Sequence, residues 1–179
     1  MNFKTRGINH LALVSSDMAR TVGFYQDLLG FPLVKTVELP GGGQHFFFDI
    51  GGGSSLAFFW FPTAPAAAPG VSAPVARPGQ LPDVSAVGSM NHVAIDVPVE
   101  LIEDYRRRLV ELGVTCSEVI NHDDSEWGVS PDLHEGVFVR SVYFLDPDGV
   151  SLEFAGWTRP LRPDDVRHRP LSAAGTPAV

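Results

Sequence analysis

Apolar and polar residues alternate along several short stretches of the chain, and this period of two predicts strands with two distinct faces. In the stretch INHLALV, Leu11 and Leu13 fall on one face and His10 falls on the other. The stretch MNHVAID repeats the arrangement, with Ile95 on the apolar face and His92 opposite. We therefore expect two equivalent strands, each presenting one histidine on the face that its large apolar residues avoid.

A helix-period pattern follows each of these strands. Asp17 is a suitable N-cap for the first helix, and Gly30 marks its end. The second helix carries an apolar stripe and stops at Gly113. Its stripe consists of Leu101, Tyr105, Leu109 and Leu112.

Each half continues into a hairpin, QHFFFDIGGGSSLAFFWF in the first and RSVYFLDPDGVSLEFAGW in the second. The order β-α-β-β-β in both halves predicts an α+β fold. Two paired modules, 6–61 and 89–157, form one curved mixed sheet with helices on its outer face and a cup on the inner one. Residues 62–88 are a Pro/Ala/Gly-rich linker and 158–179 a Pro/Arg-rich tail, so we predict one structural domain.

The alternation also places Glu153 of the last strand on the face opposite Leu152 and Phe154. Glu153 then points into the cup together with His10 and His92. Two imidazoles and one carboxylate are a ligand set for a divalent metal that leaves positions open for substrate or dioxygen. A hydrogen-bonded structural histidine is the alternative for each residue alone, but the repeat favours a metal site.

Composition limits the partners. The chain has 179 residues and a formal net charge of −8, which argues against a nucleic-acid groove. No apolar run is long enough for a bilayer, and the N-terminus does not look like a signal peptide. Cys116 is the single cysteine. We expect a cytoplasmic protein with a small-molecule substrate and no membrane partner.

The paired modules, the openings NHLAL and NHVAI, and the ending YFLDPDGVSLEF resemble the vicinal oxygen chelate superfamily over about residues 6–157. This group includes glyoxalase I, extradiol dioxygenases, fosfomycin-resistance proteins and bleomycin-binding proteins. The resemblance implies metal ligands at His10, His92 and Glu153, whereas Ala57 occupies a fourth ligand position and cannot bind metal. This three-ligand set is similar to that of the dioxygenase-like and fosfomycin-resistance-like members. Because members of the family are often dimers, the resemblance also implies a homodimer.

Aromatic residues dominate the first half, and alternation predicts that Phe47 and Phe59 line the cup. An aromatic cup with few cations suits a planar substrate, with Arg140 as the main basic candidate. We therefore expect an extradiol-like dioxygenase on a catechol-like ring, using Fe(II) or Mn(II), with Zn(II) or Ni(II) as alternatives. His45 and Tyr143 are the candidate acid/base residues.

Residues 121–136 form a longer loop than the first half has at the same place. The loop is interpreted either as a lid that touches substrate through Trp127 or as a solvated acidic loop. It also holds His122 and His134, the reserve candidates for proton transfer. Two other functions stay open: a glyoxalase- or epimerase-type lyase or isomerase, and a non-catalytic small-molecule binding protein of the resistance type.

Overall fold

The computed structural model describes residues 8–65, 90–162, 165 and 170. The first module contains β1 (His10–Val14), α1 (Met18–Val22), β2 (Leu33–Leu39), β3 (Gly43–Asp49) and β4 (Ser55–Trp60). A π-helical segment, Gly23–Leu28, continues α1, and a 3-10 turn, Pro40–Gly42, joins β2 to β3. The strands form a sheet in the order β1-β4-β3-β2, in which β1 runs parallel to β4.

The second module contains β5 (Val93–Asp96), a 3-10 turn (Val99–Leu101), α2 (Ile102–Glu111), β6 (Ile120–His122), β7 (Val129–Ser130), β8 (Val139–Leu145) and β9 (Ser151–Trp157). Its sheet has the order β5-β9-β8-β6-β7, and β5 is parallel to β9. The predicted loop 121–136 thus begins with a short hairpin, which adds the strand β7 to the β-α-β-β-β plan.

The predicted boundary residues act as expected in the first helix. Asp17 is the N-cap, and its side chain accepts a hydrogen bond from the backbone N–H of Arg20. Gly30 follows the helical segment with φ at 78°, a conformation that favours glycine. Asp146 holds the β8–β9 turn by accepting from the N–H groups of Asp148 and Val150.

The helix-covered faces of both sheets contribute to one core. Its buried members come from both modules, among them Tyr25, Phe48 and Phe58 of the first and Leu109, Val142 and Phe154 of the second. Polar contacts connect the modules at the edge of this core. Tyr25 donates to the carboxylate of Asp146 at 3.0 Å, and Arg20 pairs with Asp148 at 2.6 Å. The two modules therefore pack through their helix sides.

The α+β class and the two paired modules, each with one principal helix, are confirmed. The strands lie in two separate sheets, so the shared curved sheet that we predicted is not formed by the described part of one chain. Residues 66–88 of the predicted linker and most of the predicted tail lie outside the described residues. Within the described ranges, no helix has the length and apolar character that crossing a membrane requires.

Candidate metal centre

His92 and Glu153 meet on the face of the second sheet that the helix does not cover. His92 directly precedes β5, and Glu153 lies in the middle of β9, the strand paired with β5. The imidazole Nε2 is 2.8 Å from the carboxylate Oε2. Their neighbours Ile95 and Phe154 point to the core side, as strand alternation requires.

The carboxylate of Glu153 is buried, with 4% of the residue exposed, and it has several partners. The hydroxyl of Ser141 on β8 donates to Oε1, while His92 contacts Oε2. Burial by itself raises the pKa of Glu153, but the hydrogen bonds from His92 and Ser141 outweigh it and leave this pKa below its usual value. The same hydrogen bond raises the pKa of His92, against the opposing effect of burial. The carboxylate is thus charged at neutral pH.

An asparagine orients the imidazole in each module. His92 donates from Nδ1 to Oδ1 of Asn91 at 2.6 Å, and His10 donates from Nδ1 to Oδ1 of Asn9 at 2.8 Å. With Nδ1 engaged in this way, Nε2 is the nitrogen that remains for a metal. Sequence reasoning recognised the two histidines but missed the role of the asparagines, although the repeated pair Asn-His is visible in both openings.

The three predicted ligands do not come together within one chain. Among the described residues, no three His, Cys, Asp or Glu side chains are positioned to hold a metal ion. His10 lies at the start of β1, on the exposed side of the first sheet, with Ala12 and Val14. The helix sides of the two sheets face the common core, so the faces bearing His10 and His92 are turned away from each other.

The position equivalent to Glu153 is Ala57 in β4. Ala57 is fully buried and pairs with Ala12 on one side and Phe47 on the other. Glu153 pairs in the same way with Ala94 and Tyr143. The first sheet therefore lacks a carboxylate at this position, and both of its strand partners there are apolar.

Aromatic rings cover the His10 face of the first sheet. The rings of His10 and Phe47 lie 5.6 Å apart at 67°. His45 stacks on Phe59 with ring centroids 3.6 Å apart, and Phe59 is parallel to Phe61 at 5.6 Å. Phe47, Phe59 and His45 thus share the face of His10, and His45 also contacts the carbonyl of Phe58 through Nδ1.

Tyr143 lies beside the candidate ligands on the second sheet. Its ring meets that of His92 edge-on at 5.6 Å, and its hydroxyl is 3.5 Å from Nε2 of His122. Burial raises the pKa of Tyr143, and the charge of Glu153 raises it further. The phenol is therefore a proton-bearing donor at neutral pH. His122 reaches this face because it pairs with Val139, two residues from Ser141 in β8.

Three other predicted residues lie away from this group. Arg140 sits on the helix-covered face of β8, where its guanidinium contacts Glu103 of α2 at 2.5 Å. Trp127 is at the tip of the β6–β7 hairpin and is 84% exposed. His134 pairs with Asp123 at 3.2 Å within the same loop. Arg140 is three residues from Tyr143 in β8, so strand alternation predicts that the two side chains lie on opposite faces. The prediction that Arg140 lies in the cup came from its charge alone.

The donor chemistry fits a divalent cation. Nε2 of His92 and Oε2 of Glu153 converge at 2.8 Å, Nδ1 is held by an amide, and the carboxylate is charged although buried. An imidazole nitrogen and a carboxylate oxygen are ligands that Fe(II), Mn(II), Zn(II) and Ni(II) all accept. One chain contributes two donors here, so a complete site needs at least one more.

Two paired βαβββ modules with a His–Glu pair on an open sheet face are typical of a class of proteins that bind small-molecule substrates. The chain belongs to the Glyoxalase/Bleomycin resistance protein/Dioxygenase superfamily, whose model matches residues 7–154.

Solved structures show the same fold. The protein SMU.1112c is 26% identical with a TM-score of 0.60, and the match covers 85% of this chain and 99% of that one. A glyoxalase family protein from Enterococcus faecalis is 24% identical (TM-score 0.58; 84% and 97% covered). The fosfomycin resistance protein FosX from Listeria monocytogenes is 18% identical (TM-score 0.55; 87% and 96% covered), and it has also been solved with Mn(II) and sulfate.

Proposed function

We propose that the protein is a divalent-metal-dependent enzyme whose metal centre is completed across a homodimer. His92 and Glu153 of one chain supply two ligands, and His10 of a second copy supplies the third. The contact between Nε2 of His92 and Oε2 of Glu153 carries this proposal, because it brings two metal donors together on an open sheet face.

Three features of the chain support a second copy. No three-donor group exists among the described residues. β1 and β5, which carry or adjoin the two histidines, are both edge strands, and each has one backbone edge that no other described strand pairs with. The open faces also leave large apolar residues uncovered, with Val14, Phe61 and Trp157 each at least 40% exposed. Joining the first module of one copy to the second module of another covers these faces and brings the donors together.

Fe(II) or Mn(II) is the cation we favour, with Zn(II) or Ni(II) as alternatives. FosX, which shares the fold, has been solved with Mn(II). When bound, such a cation binds adjacent oxygens of a substrate and stabilises negative charge that develops on them. Around such a cation the chain would contribute the buried carboxylate of Glu153 and the aromatic rings near His10.

The aromatic surface of the first sheet favours a planar substrate. The rings of Phe47, His45, Phe59 and Phe61 lie on the His10 face, so a ring-shaped substrate held near the ligands would contact an apolar wall. Arg140 is engaged with Glu103 on the opposite face, so it adds no cation here. This surface favours a catechol-like substrate over a phosphonate. We therefore favour an extradiol-like dioxygenase reaction.

Tyr143 and His122 are the residues that we propose for proton transfer. The phenol of Tyr143 is protonated at neutral pH and lies against the ring of His92, within reach of a bound substrate. His122 accepts from or donates to this hydroxyl at 3.5 Å, so it is placed to exchange protons between Tyr143 and solvent. His45 is stacked on Phe59 and is better placed to contact the substrate ring than to move a proton.

A glyoxalase- or epimerase-type reaction is the second candidate. The pair of Tyr143 and His122 favours it, because moving a proton between neighbouring carbons needs a donor and an acceptor close together. Oxygen consumption separates the two reactions. Fe(II)-loaded protein prepared without air should consume oxygen with a catechol, and methylglyoxal–thiol adducts should leave the oxygen level unchanged. Absence of uptake with every catechol would reject the dioxygenase.

Subunit mixing tests the shared site. His10→Ala and Glu153→Gln each remove one ligand, and each pure variant should lose bound Mn(II). Dissociating and reassociating an equal mixture should restore about a quarter of the sites, because half of the dimers are then mixed and each holds one intact centre. A site within one chain would show no recovery.

A matched mixture provides the control. His92→Ala with Glu153→Gln damages the same module in both copies, so no combination has an intact centre. Recovery in this control mixture, or its absence in the first, would contradict the dimeric site while leaving the fold assignment in place.

A further inference from the structure

A pocket of about 440 Å³ lies at the junction of the two modules, on the helix side of both sheets. Its size falls within the range of roughly 300–1,000 Å³ that is typical of small-molecule sites. Apolar side chains of both modules line it, including Leu28, Phe31, Ile50, Ile95, Leu109 and Phe154. Phe154 follows Glu153 in β9 and points to the opposite face, so this pocket is separate from the candidate metal centre.

Two polar side chains of α2 face the pocket from positions one turn apart. The ring of Tyr105 packs on Phe154 at 5.8 Å, and within the described ranges its hydroxyl has no hydrogen-bond partner. Arg108 likewise has no ion-pair partner among the described residues. The adjacent Arg107 differs, because it pairs with Asp104 at 2.6 Å on the outer side of the helix.

No carboxylate side chain is expected to offset Arg108 inside the pocket. Asp96 contributes to the lining, but it alternates with Ile95 along β5. Its side chain is therefore directed to the other face, with that of Ala94, and it is exposed. The pocket thus combines an apolar interior with one guanidinium and one phenol at its edge.

We propose that this pocket binds a small amphipathic carboxylate, such as a medium-chain fatty acid. The apolar tail would lie between the modules, and the carboxylate would accept hydrogen bonds from Arg108 and from the hydroxyl of Tyr105. A planar guanidinium with free N–H groups matches a carboxylate, and charge assistance makes such bonds strong. Because both modules contribute to the lining, the ligand would also stabilise their packing.

Calorimetric titration of the whole protein with decanoate tests the proposal. We expect one decanoate per chain and at least about tenfold weaker binding of 1-decanol and decylamine, which share the tail but lack the anion. Equal binding of the three compounds, or no binding of decanoate, would overturn the proposal.

Paired variants locate the site. Arg108→Gln should weaken decanoate binding about tenfold, whereas the control Arg107→Gln should leave it unchanged. Leu112→Trp should block the pocket without altering its charge. His92→Ala, on the other sheet face, should have no effect.

A cation in the last turn of a helix also stabilises that helix, so Arg108→Gln would lower the melting temperature even without a ligand site. Arg108→Lys separates the two roles, because it keeps the charge at the helix end and loses the paired donors. Weakened decanoate binding by the Arg108→Lys protein, together with an unchanged melting temperature, supports the site. Equal decanoate affinity in the Arg107→Gln and Arg108→Gln proteins would overturn it.

Discussion

The two modules share a backbone plan but differ at the centre of their open faces. In the second module Glu153 lies between Ala94 and Tyr143, and Ser141 and His92 donate to its carboxylate. In the first module Ala57 occupies the same place, between Ala12 and Phe47.

The contrast extends to the residues around this position. The phenol of the second module is replaced by a phenyl ring in the first, and the hydroxyl of Ser141 by the imidazole of His45, which stacks on Phe59 instead. Both modules keep the Asn-His pair at the start of their first strand. One module thus carries a buried carboxylate with a hydroxyl and a phenol beside it, and the other carries an imidazole surrounded by aromatic rings.

Loss of the metal is the largest effect we expect. His10→Ala, His92→Ala and Glu153→Gln should each reduce Mn(II) affinity by at least about 100-fold, more than the loss of an outer partner costs. Isothermal titration of the purified variants measures this. The control is His45→Ala, which removes an imidazole from the same face as His10 and should leave affinity unchanged. Retention of metal by the His10 variant would remove the first module from the site.

Introducing the missing carboxylate should cost folding free energy. Ala57→Glu places a charge in a fully buried strand position with apolar neighbours, so we expect the free energy of unfolding without metal to fall by about 3 kcal/mol. Urea denaturation measures it, and Ala57→Gln controls for volume. If the modules meet around a cation, Mn(II) should raise the melting temperature of the Glu variant more than that of the Gln variant. Equal shifts would mean that position 57 is remote from the metal.

The asparagines should have equal and smaller effects. Asn9→Ala and Asn91→Ala each free an imidazole from its Nδ1 acceptor, which should lower Mn(II) affinity about tenfold. Asn91→Asp retains an acceptor oxygen and should preserve affinity. An effect of Asn91→Ala without one of Asn9→Ala would show that the two histidines are not equivalent.

The smallest effect is the pH dependence of the metal-free protein. The raised pKa of His92 means that its contribution to stability is complete below about pH 6.5 and is lost as the pH rises through the raised value. The lowered pKa of Glu153 means that its contribution is present above about pH 4.3 and is lost below that. The loss of unfolding free energy caused by Glu153→Gln should thus be larger at pH 6 than at pH 9, measured in urea with a chelator. The opposite order would contradict the charged pair.

Strand alternation predicted correctly which face of a sheet a side chain lies on, whereas charge was a poor predictor of the same property. Alternation correctly assigned His10 and Leu11 to opposite faces, and likewise Glu153 and Phe154. It could do so because a period of two depends only on neighbouring residues. Arg140 was expected near the substrate because it is basic. Its partner Glu103 lies on α2, 37 positions away, and that contact cannot be seen in the local sequence.

The sequence by itself determined the two modules, the α+β class and the face on which each candidate ligand lies, since these depend on short-range periodicity and turn residues. Only the tertiary structure decided that the modules pack through their helix sides, through a shared core and the contacts of Tyr25 and Arg20 with the β8–β9 turn. Those contacts depend on shape and burial between distant residues. They turn the two histidine faces outward, and this is the reason for our proposal that a second copy of the chain completes the candidate metal centre.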